Sequence, residues 1–288
     1  MTVALRPTLP SEIRRRRMLM SIANHAIAIA FAITFVLPFV VVIATALMTR
    51  NQSLSGELWP HPFRWSNFTQ VFTDVPLVRY TINTVIYAGL SAVGTVLSCV
   101  PVAYAISRMS WRGRQAVWIL ILSTLMLPTQ VTIVPLYVTF DHLHWLGSLK
   151  PLIVPCFFGD AFSILLLRQF FMTIPQDLSD AARIDGANEW QIMTKVIVPL
   201  ARPAIAAVGL FAFLYAWDDF FGPLLYTGSN NKAWTLAIGL QQFTSTHNTI
   251  VWNTTMAAAV LFMVPVVVIF FFAQRVFVEG VTLTGVKG

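Results

Sequence analysis

Charge is scarce in this chain. Only 11% of its 288 residues are charged and 57% are hydrophobic, whereas a soluble globular domain is about a quarter charged. So few charges cannot clothe a water-facing surface, which excludes an ordinary soluble fold. Cysteine is nearly absent as well. Cys99 and Cys156 lie far apart in apolar stretches, so neither a disulfide framework nor a metal-ligand spacing is present. No Gly-x-x-x-x-Gly-Lys-Ser/Thr phosphate loop occurs, and no polar region is long enough for a nucleotide domain. No nucleophile or acid/base pair is set out; His142 and His144 fall in a connecting loop and read as solvent-facing.

What is abundant is long apolar runs. A hydrocarbon core takes roughly 20 helical residues to cross, and six stretches qualify: Ile22 to Met48, Thr81 to Ile106, Ala116 to Phe140, Pro151 to Phe171, Ala204 to Tyr226 and Met256 to Phe277. They lack the alternation of a lipid-facing barrel strand, and only closed backbone hydrogen bonding survives in lipid. The expected fold is an all-α polytopic membrane protein with six transmembrane helices.

Basic residues flanking spans stay on the cytoplasmic side. With the N-terminus inside, fourteen of the 19 Lys and Arg fall at cytoplasmic positions, including Arg14 to Arg17, Arg108, Arg112, Arg114, Arg183 and Lys195. Arg50, Arg64, Arg79, Lys150 and Lys232 fall outside. Both termini are therefore expected in the cytoplasm. The net charge of +7 follows from this topology and from anionic headgroups, without nucleic acid. The first apolar run is too long for a signal-peptide core and ends without a small-residue cleavage site, so it reads as a retained helix. The chain then divides into a basic segment 1–21, a first span 22–48, an external loop 49–80, a core 81–278 and a cytoplasmic tail 279–288. Within the core, 175–203 is a polar cytoplasmic loop and 227–253 a polar external one. Trp59, Phe63 and Trp65 in the first external loop suit a short interfacial cap.

The polar stretch Asp180 to Pro203, DAARIDGANEWQIMTKVIVPLARP, is neither a span nor a flexible linker. Ala181 and Ala182 permit close approach of a partner surface, and Gly186 permits a backbone angle that a Cβ resists. Asn188 and Gln191 form a capping-box pair opening a second helix. In that helix Trp190, Met193, Val196 and Ile197 make an apolar stripe that Pro199 stops. An amphipathic helix on the inner membrane surface would share this pattern. Asp177, Asp180, Asp185 and Glu189 suit an anionic surface poorly.

The segment resembles the EAA loop of the membrane subunits of bacterial ATP-driven importers. Thr81 to Arg114, Leu127 to Phe140 (LPTQVTIVPLYVTF), Gly159 to Phe171 (GDAFSILLLRQFF) and Tyr215 to Tyr226 (YAWDDFFGPLLY) extend the resemblance over nearly the whole chain. It looks like a binding-protein-dependent permease subunit of the carbohydrate-uptake type, grouped with the smaller maltose-transporter membrane subunit. That resemblance implies a transport subunit rather than an enzyme, placed in a bacterial inner membrane. It implies a second homologous permease subunit as heterodimer partner, two ATPase subunits or domains that bind the ATP and Mg, and an extracytoplasmic sugar-binding protein. No cofactor is expected in this chain. ATPase coupling would fall to Asp180, Ala181, Ala182, Asp185, Gly186, Ala187 and Trp190, and binding-protein docking to Gln241, Gln242, Thr246, His247 and Asn248. Two departures stand out: the usual Glu at the head of the loop is Asp180, and Asp218 replaces a common Asn.

An ionisable group inside a membrane is a functional candidate by default. Asp160, Asp218 and Asp219, with Asn83, Gln130 and Trp217, are therefore candidates for the translocation pathway. Helix-to-helix hydrogen bonding is the other reading for Asp218 and Asp219, whose adjacency points them in different directions. Pro101, Pro128 and Pro135 interrupt spans, as pathway openings or simple kinks, and Gly209 and Gly222 mark helix contact or a bend. Two other functions remain open: the same machinery serving glycerol phosphate or a phosphodiester, and an autonomous ion-coupled carrier.

Overall fold

The computed structural model describes residues 11–228, 230–245 and 251–285, and their side chains except at 11–14, 16, 242–245 and 272–285. Among these residues the regular structure is helical, without a strand. In chain order the helices are α1 (Ser11–Ala46), α2 (Gln52–Ser55), α3 (Ser66–Asp74), α4 (Leu77–Arg108), α5 (Arg114–Thr124), α6 (Thr129–His142), α7 (Lys150–Ile153) and, after a 3-10 turn, α8 (Ala161–Thr173). There follow α9 (Asp177–Ile184), α10 (Glu189–Ile192), a π-helical stretch (Met193–Ile197), α11 (Val198–Leu200), α12 (Arg202–Asp218), α13 (Phe221–Thr227), α14 (Leu236–Ser245) and α15 (Trp252–Gly285).

Four helical segments are long and apolar enough to cross a membrane, and up to six if each of two bent pairs is one span. The third expected span is one of those pairs. Its halves, α5 and α6, meet at 95°, because Pro128 cannot continue a helix and biases Leu127 away from helical angles. The fourth and fifth spans are broken too, at Gly159–Asp160 and at Asp219–Phe220. Gly159 takes a φ of 97°, where a side chain is strained. Pro101 and Pro135, by contrast, lie within continuous α4 and α6; of the three prolines taken to interrupt spans, Pro128 alone does so. The two expected external loops are also more ordered than their polarity suggested. The first holds α2 and α3, and the second holds α14.

The chain forms two units. The first comprises residues 1–69 and 251–260. In it, α1 is exposed from Arg17 to Val41, as lipid-facing apolar surface is. Its end is tied by Asn67, 3% exposed, whose Nδ2 donates to the carbonyls of Ala46 and Met48, each at 2.8 Å. Asn253 donates to Asn67 Oδ1 at 3.2 Å. One buried amide thus satisfies helix-end carbonyls that lipid could not.

The second unit comprises residues 70–250 and 261–288. Its core joins α4, α5, α8 and α12 through Cys99, Ala103, Trp118, Leu167, Phe171 and Val208. Gly209 lets α12 approach Val96 of α4, whose methyl would lie 3.3 Å from an added Cβ. Arg168 of α8 stacks over the Trp118 ring at 4.3 Å, a cation–π contact that shelters a charge on an apolar helix. Asn67→Leu is expected to lower stability by about 1–3 kcal/mol through the orphaned carbonyls. Thermal unfolding of the purified chain in detergent checks it, and an unchanged midpoint would remove Asn67 as the tie.

Candidate functional site

Two features of the second unit place chemistry together. The first is the Asp180 loop. Helix α9 ends at Gly186, which adopts a left-handed φ of 82°. The Ala187 N–H bonds Ala182 O and the Gly186 N–H bonds Arg183 O, each at 3.0 Å, the paired pattern of a Schellman stop. Asn188 then caps α10 reciprocally with Gln191, at 2.9 and 3.0 Å, as the capping-box spacing predicts.

Beyond that cap the second helix is rooted in the core. Ile192 and Ile197 are fully buried and Met193 nearly so. Trp190 does not join them; it is 67% exposed. The apolar stripe is therefore Ile192, Met193, Val196 and Ile197. The π-helical stretch Met193–Ile197 widens the turn and shifts the register, which moves Trp190 off the buried face. Ile184, at 87% exposure, and exposed Ala181, Asp185 and Gly186 complete the outward tip. Ala182 and Ala187 face the core. Ile184 and Trp190 thus leave apolar surface exposed on this turn.

Four residues lock the loop. Asp180 and Arg183 form an ion pair at 2.6 Å, and Arg183 Nε reaches Glu189 at 2.9 Å. The Tyr104 hydroxyl donates to Glu189 at 2.6 Å. The Glu189 bond, with burial opposing and Asp180 adding, raises the Arg183 guanidinium above its usual range. Asp180 is thus engaged within the chain. Beneath this network lies Arg108, 7% exposed. Its Nη1 donates to Ile174 O at 2.7 Å and Phe171 O at 3.4 Å, and its Nη2 to Pro175 O at 2.9 Å and Ser179 Oγ at 3.0 Å. The end of α4, the end of α8 and the start of α9 meet at one guanidinium. It borders a cleft of ≈ 470 Å³ that Arg114, Asp180, Arg183 and Glu189 also line.

The second feature is a cavity of ≈ 690 Å³ among α4, α6, α8, α12 and α13. Asp160 and Asp219 both line it, at the two helix breaks. Asp160 Oδ2 accepts from Ser163 N at 2.8 Å and caps α8. Asp219 accepts from Gly222 N at 3.0 Å and from the Tyr87 hydroxyl at 2.8 Å. Each carboxylate sits at the positive end of a helix, which offsets part of its desolvation.

The other pathway candidates lie elsewhere. Asp218 ends α12 exposed and does not line the cavity, while Asp219 lies past the end of that helix in extended backbone. Trp217 is 1% exposed and packs against Phe213 and Phe262. Gln130 is exposed, while its neighbour Thr129 lines the cavity. Asn83 Nδ2 donates to Lys232 O and Trp234 O at 2.9 and 2.8 Å, anchoring the turn before α14. Gly222 fits close contact: an added Cβ would lie 2.5 Å from Asp219 and 3.0 Å from Leu152. Among the docking candidates Gln241 is exposed on α14. The Gln242 side chain and Thr246, His247 and Asn248 lie outside the described residues.

Sequence reading missed the residues that organise both features: Arg108, Ser179 and Tyr104 in the loop, and Tyr87, Ser91 and Thr95 in the cavity. The last three recur every four residues along α4, a polar stripe on an apolar helix that was available as a signal. Arg108 carried none, since a basic residue at a span end reads as topology. Arg108→Met is expected to cost on the order of 3 kcal/mol, because four oxygens lose a charged donor. Arg108→Lys restores only part, having no planar fork. Thermal midpoints and proteolysis within 175–203 check this; wild-type values for Arg108→Met would sink the assignment.

Comparison with known proteins places these features in context. The chain is 30% identical over 264 residues to the trehalose/maltose transport system permease protein of Thermococcus litoralis, covering 91% of this chain and 95% of the relative. It is 31% identical over 265 residues to an sn-glycerol-3-phosphate transport system permease protein of Yersinia pestis, covering 89% and 94%. A solved chain of a bacterial ABC transporter involved in import of the acidic polysaccharide alginate shares the fold, with a TM-score of 0.78 at 24% identity over 94% of this chain and 99% of that one. The family profile described as "binding-protein-dependent transport system inner membrane component" matches residues 98–283, and the chain belongs to that family.

Proposed function

We propose that this chain is one permease subunit of an ATP-driven importer that moves a sugar or oligosaccharide across the membrane by alternating access. The observation that carries the proposal is the Asp180 loop. It presents Ile184 and Trp190 outward while Arg108 and the buried Ile192 and Ile197 root it in the bundle. A tip that is exposed, apolar and rigidly held has the form of a docking knob. The relatives that are permeases for trehalose/maltose and for diacetylchitobiose support a saccharide as cargo.

In this reading the tip, with Ala181, Asp185 and Gly186 at its crest, seats in a groove of a separate ATPase subunit, which supplies ATP binding, Mg and hydrolysis. Asp180 holds Arg183 in place, and Ala182 and Ala187 brace the turn from below. Closure of two ATPases pulls two such tips, one here and one on a homologous second permease chain. The loop and both termini face the cytoplasm, in keeping with the asymmetry of Lys and Arg. On the other side, α14 and the residues after it, from Gln241 and Gln242 to Thr246, His247 and Asn248, meet the sugar-binding protein. Asp160 and Asp219 line this chain's share of the pathway.

The test is ATP hydrolysis stimulated by the binding protein in nanodiscs holding both permease chains and the ATPase. Ile184→Asp and Gly186→Trp are expected to cut stimulation at least about tenfold, since a charge or bulk at the centre of an interface costs 1.4 kcal/mol or more. Asp180→Lys should do the same by repelling Arg183. Full stimulation in all three variants would give the loop a purely structural role, and no stimulation even in the wild type would favour an ion-coupled carrier.

A further inference from the structure

The cavity carries an inference about which solutes pass. Its lining holds two carboxylates, Asp160 and Asp219, and the phenol rings of Tyr87, Tyr215 and Tyr226. Among the described residues that line it there is no Lys, Arg or His. We propose that this cavity is a solute chamber that admits uncharged saccharides and rejects anionic ones such as sugar phosphates and uronates. The proposal deepens the importer reading above and rests on it.

The physical argument has three parts. First, ≈ 690 Å³ falls within the range of small-ligand pockets, about 300–1,000 Å³. Second, the carboxylates keep acceptor capacity after capping their helices. Asp160 Oδ2 takes one N–H, and Asp219 takes one N–H and one O–H, against about four lone-pair sites each. Sugar hydroxyls can donate to the remainder in charge-assisted hydrogen bonds, while flat phenol rings offer apolar faces with polar tips. Third, an anion entering the chamber meets two carboxylates, balanced by no cation on the described lining.

A native reporter makes the charge of the chamber measurable. Cys156 lines it, and the chain's other cysteine, Cys99, is fully buried. The experiment uses the paired permease chains in nanodiscs, with Cys99→Ser here and the partner's cysteines removed. Cys156 is modified with a cationic trimethylammonium methanethiosulfonate and with an anionic sulfonate one, and each rate is scaled to that on free cysteine. The cationic reagent is expected to react about tenfold faster or more after scaling. Asp160→Asn and Asp219→Asn, singly and together, should bring the ratio towards one; each Asn keeps a side-chain acceptor for its helix cap. At least one neutral disaccharide among maltose, trehalose and cellobiose should slow the reaction, and sn-glycerol 3-phosphate should not. A scaled ratio near one in the wild type, an unreactive Cys156, no protection by any disaccharide, or protection by glycerol phosphate would each overturn the proposal. These rates need no ATPase. Absence of binding-protein-stimulated ATP hydrolysis in the wild type, with the rate ratio intact, would therefore sink the importer reading while the chamber's charge selection stands.

Discussion

A buried guanidinium without a carboxylate partner holds this architecture together at one end. Burying the Arg108 charge is costly, and the compensation comes from oxygens that are themselves in need of donors. The carbonyls of Phe171, Ile174 and Pro175 lie at the end of α8, where the helix leaves its last carbonyls unsatisfied and its dipole is negative. Ser179, fully buried, adds a hydroxyl from α9. The two deficits offset each other, apart from a buried Arg108 Nε that has no partner, only while the three helix ends stay together. Separating them would leave a bare charge on one side and bare carbonyls on the other. One side chain therefore binds the start of α9 to the ends of α4 and α8.

The second constraint is the way the spans are broken. A continuous helix exposes no backbone polar group inside a membrane, so each break must be repaired. At Gly159–Asp160 and Asp219–Phe220 a carboxylate does so by accepting the first N–H groups of the helix that follows. Both repairs face the same cavity. Structural and functional readings of these acids are thus not alternatives: the lone pairs that remain after capping are what the cavity presents. Asp218, one residue from Asp219, caps no helix and is exposed away from the cavity lining.

Most of the fold was legible in composition, because length and apolarity alone decide what crosses a bilayer. The turn of the Asp180 loop was legible for a different reason. Gly186, Asn188 and Gln191 act on their own backbone neighbours, so their roles need no knowledge of the fold. Trp190 was misread because a π-helical stretch shifts the register, and helical periodicity cannot register that. The 95° bend between α5 and α6 was half visible in Pro128, but Pro101 and Pro135 carry the same signal inside unbroken helices. Proline states where a bend is permitted; packing decides where it occurs. Asn83 and Gln130 show the limit of polarity as a guide, since a polar group in a span can serve a neighbouring backbone as well as a passing solute.

Helix α4 is the element on which the two sites meet. At one end it holds Tyr104, bonded to Glu189, and Arg108, bonded to α8 and α9. Further along the same helix Tyr87, Ser91 and Thr95 face the cavity, and Tyr87 bonds the Asp219 cap. The 21 helical steps from Tyr87 to Arg108 span about 30 Å at 1.5 Å each, so a single helix joins loop and chamber without an intervening flexible segment. Pro101 lies between them and removes one backbone hydrogen bond, which gives the rod one soft point. A displacement of the loop must then either carry α4 as a body or bend it there. Tyr87 on this helix is bonded at 2.8 Å to Asp219, whose helix break belongs to a different chain segment. The hydrogen bond between them therefore ties the helix that carries the loop junction to the break that lines the cavity.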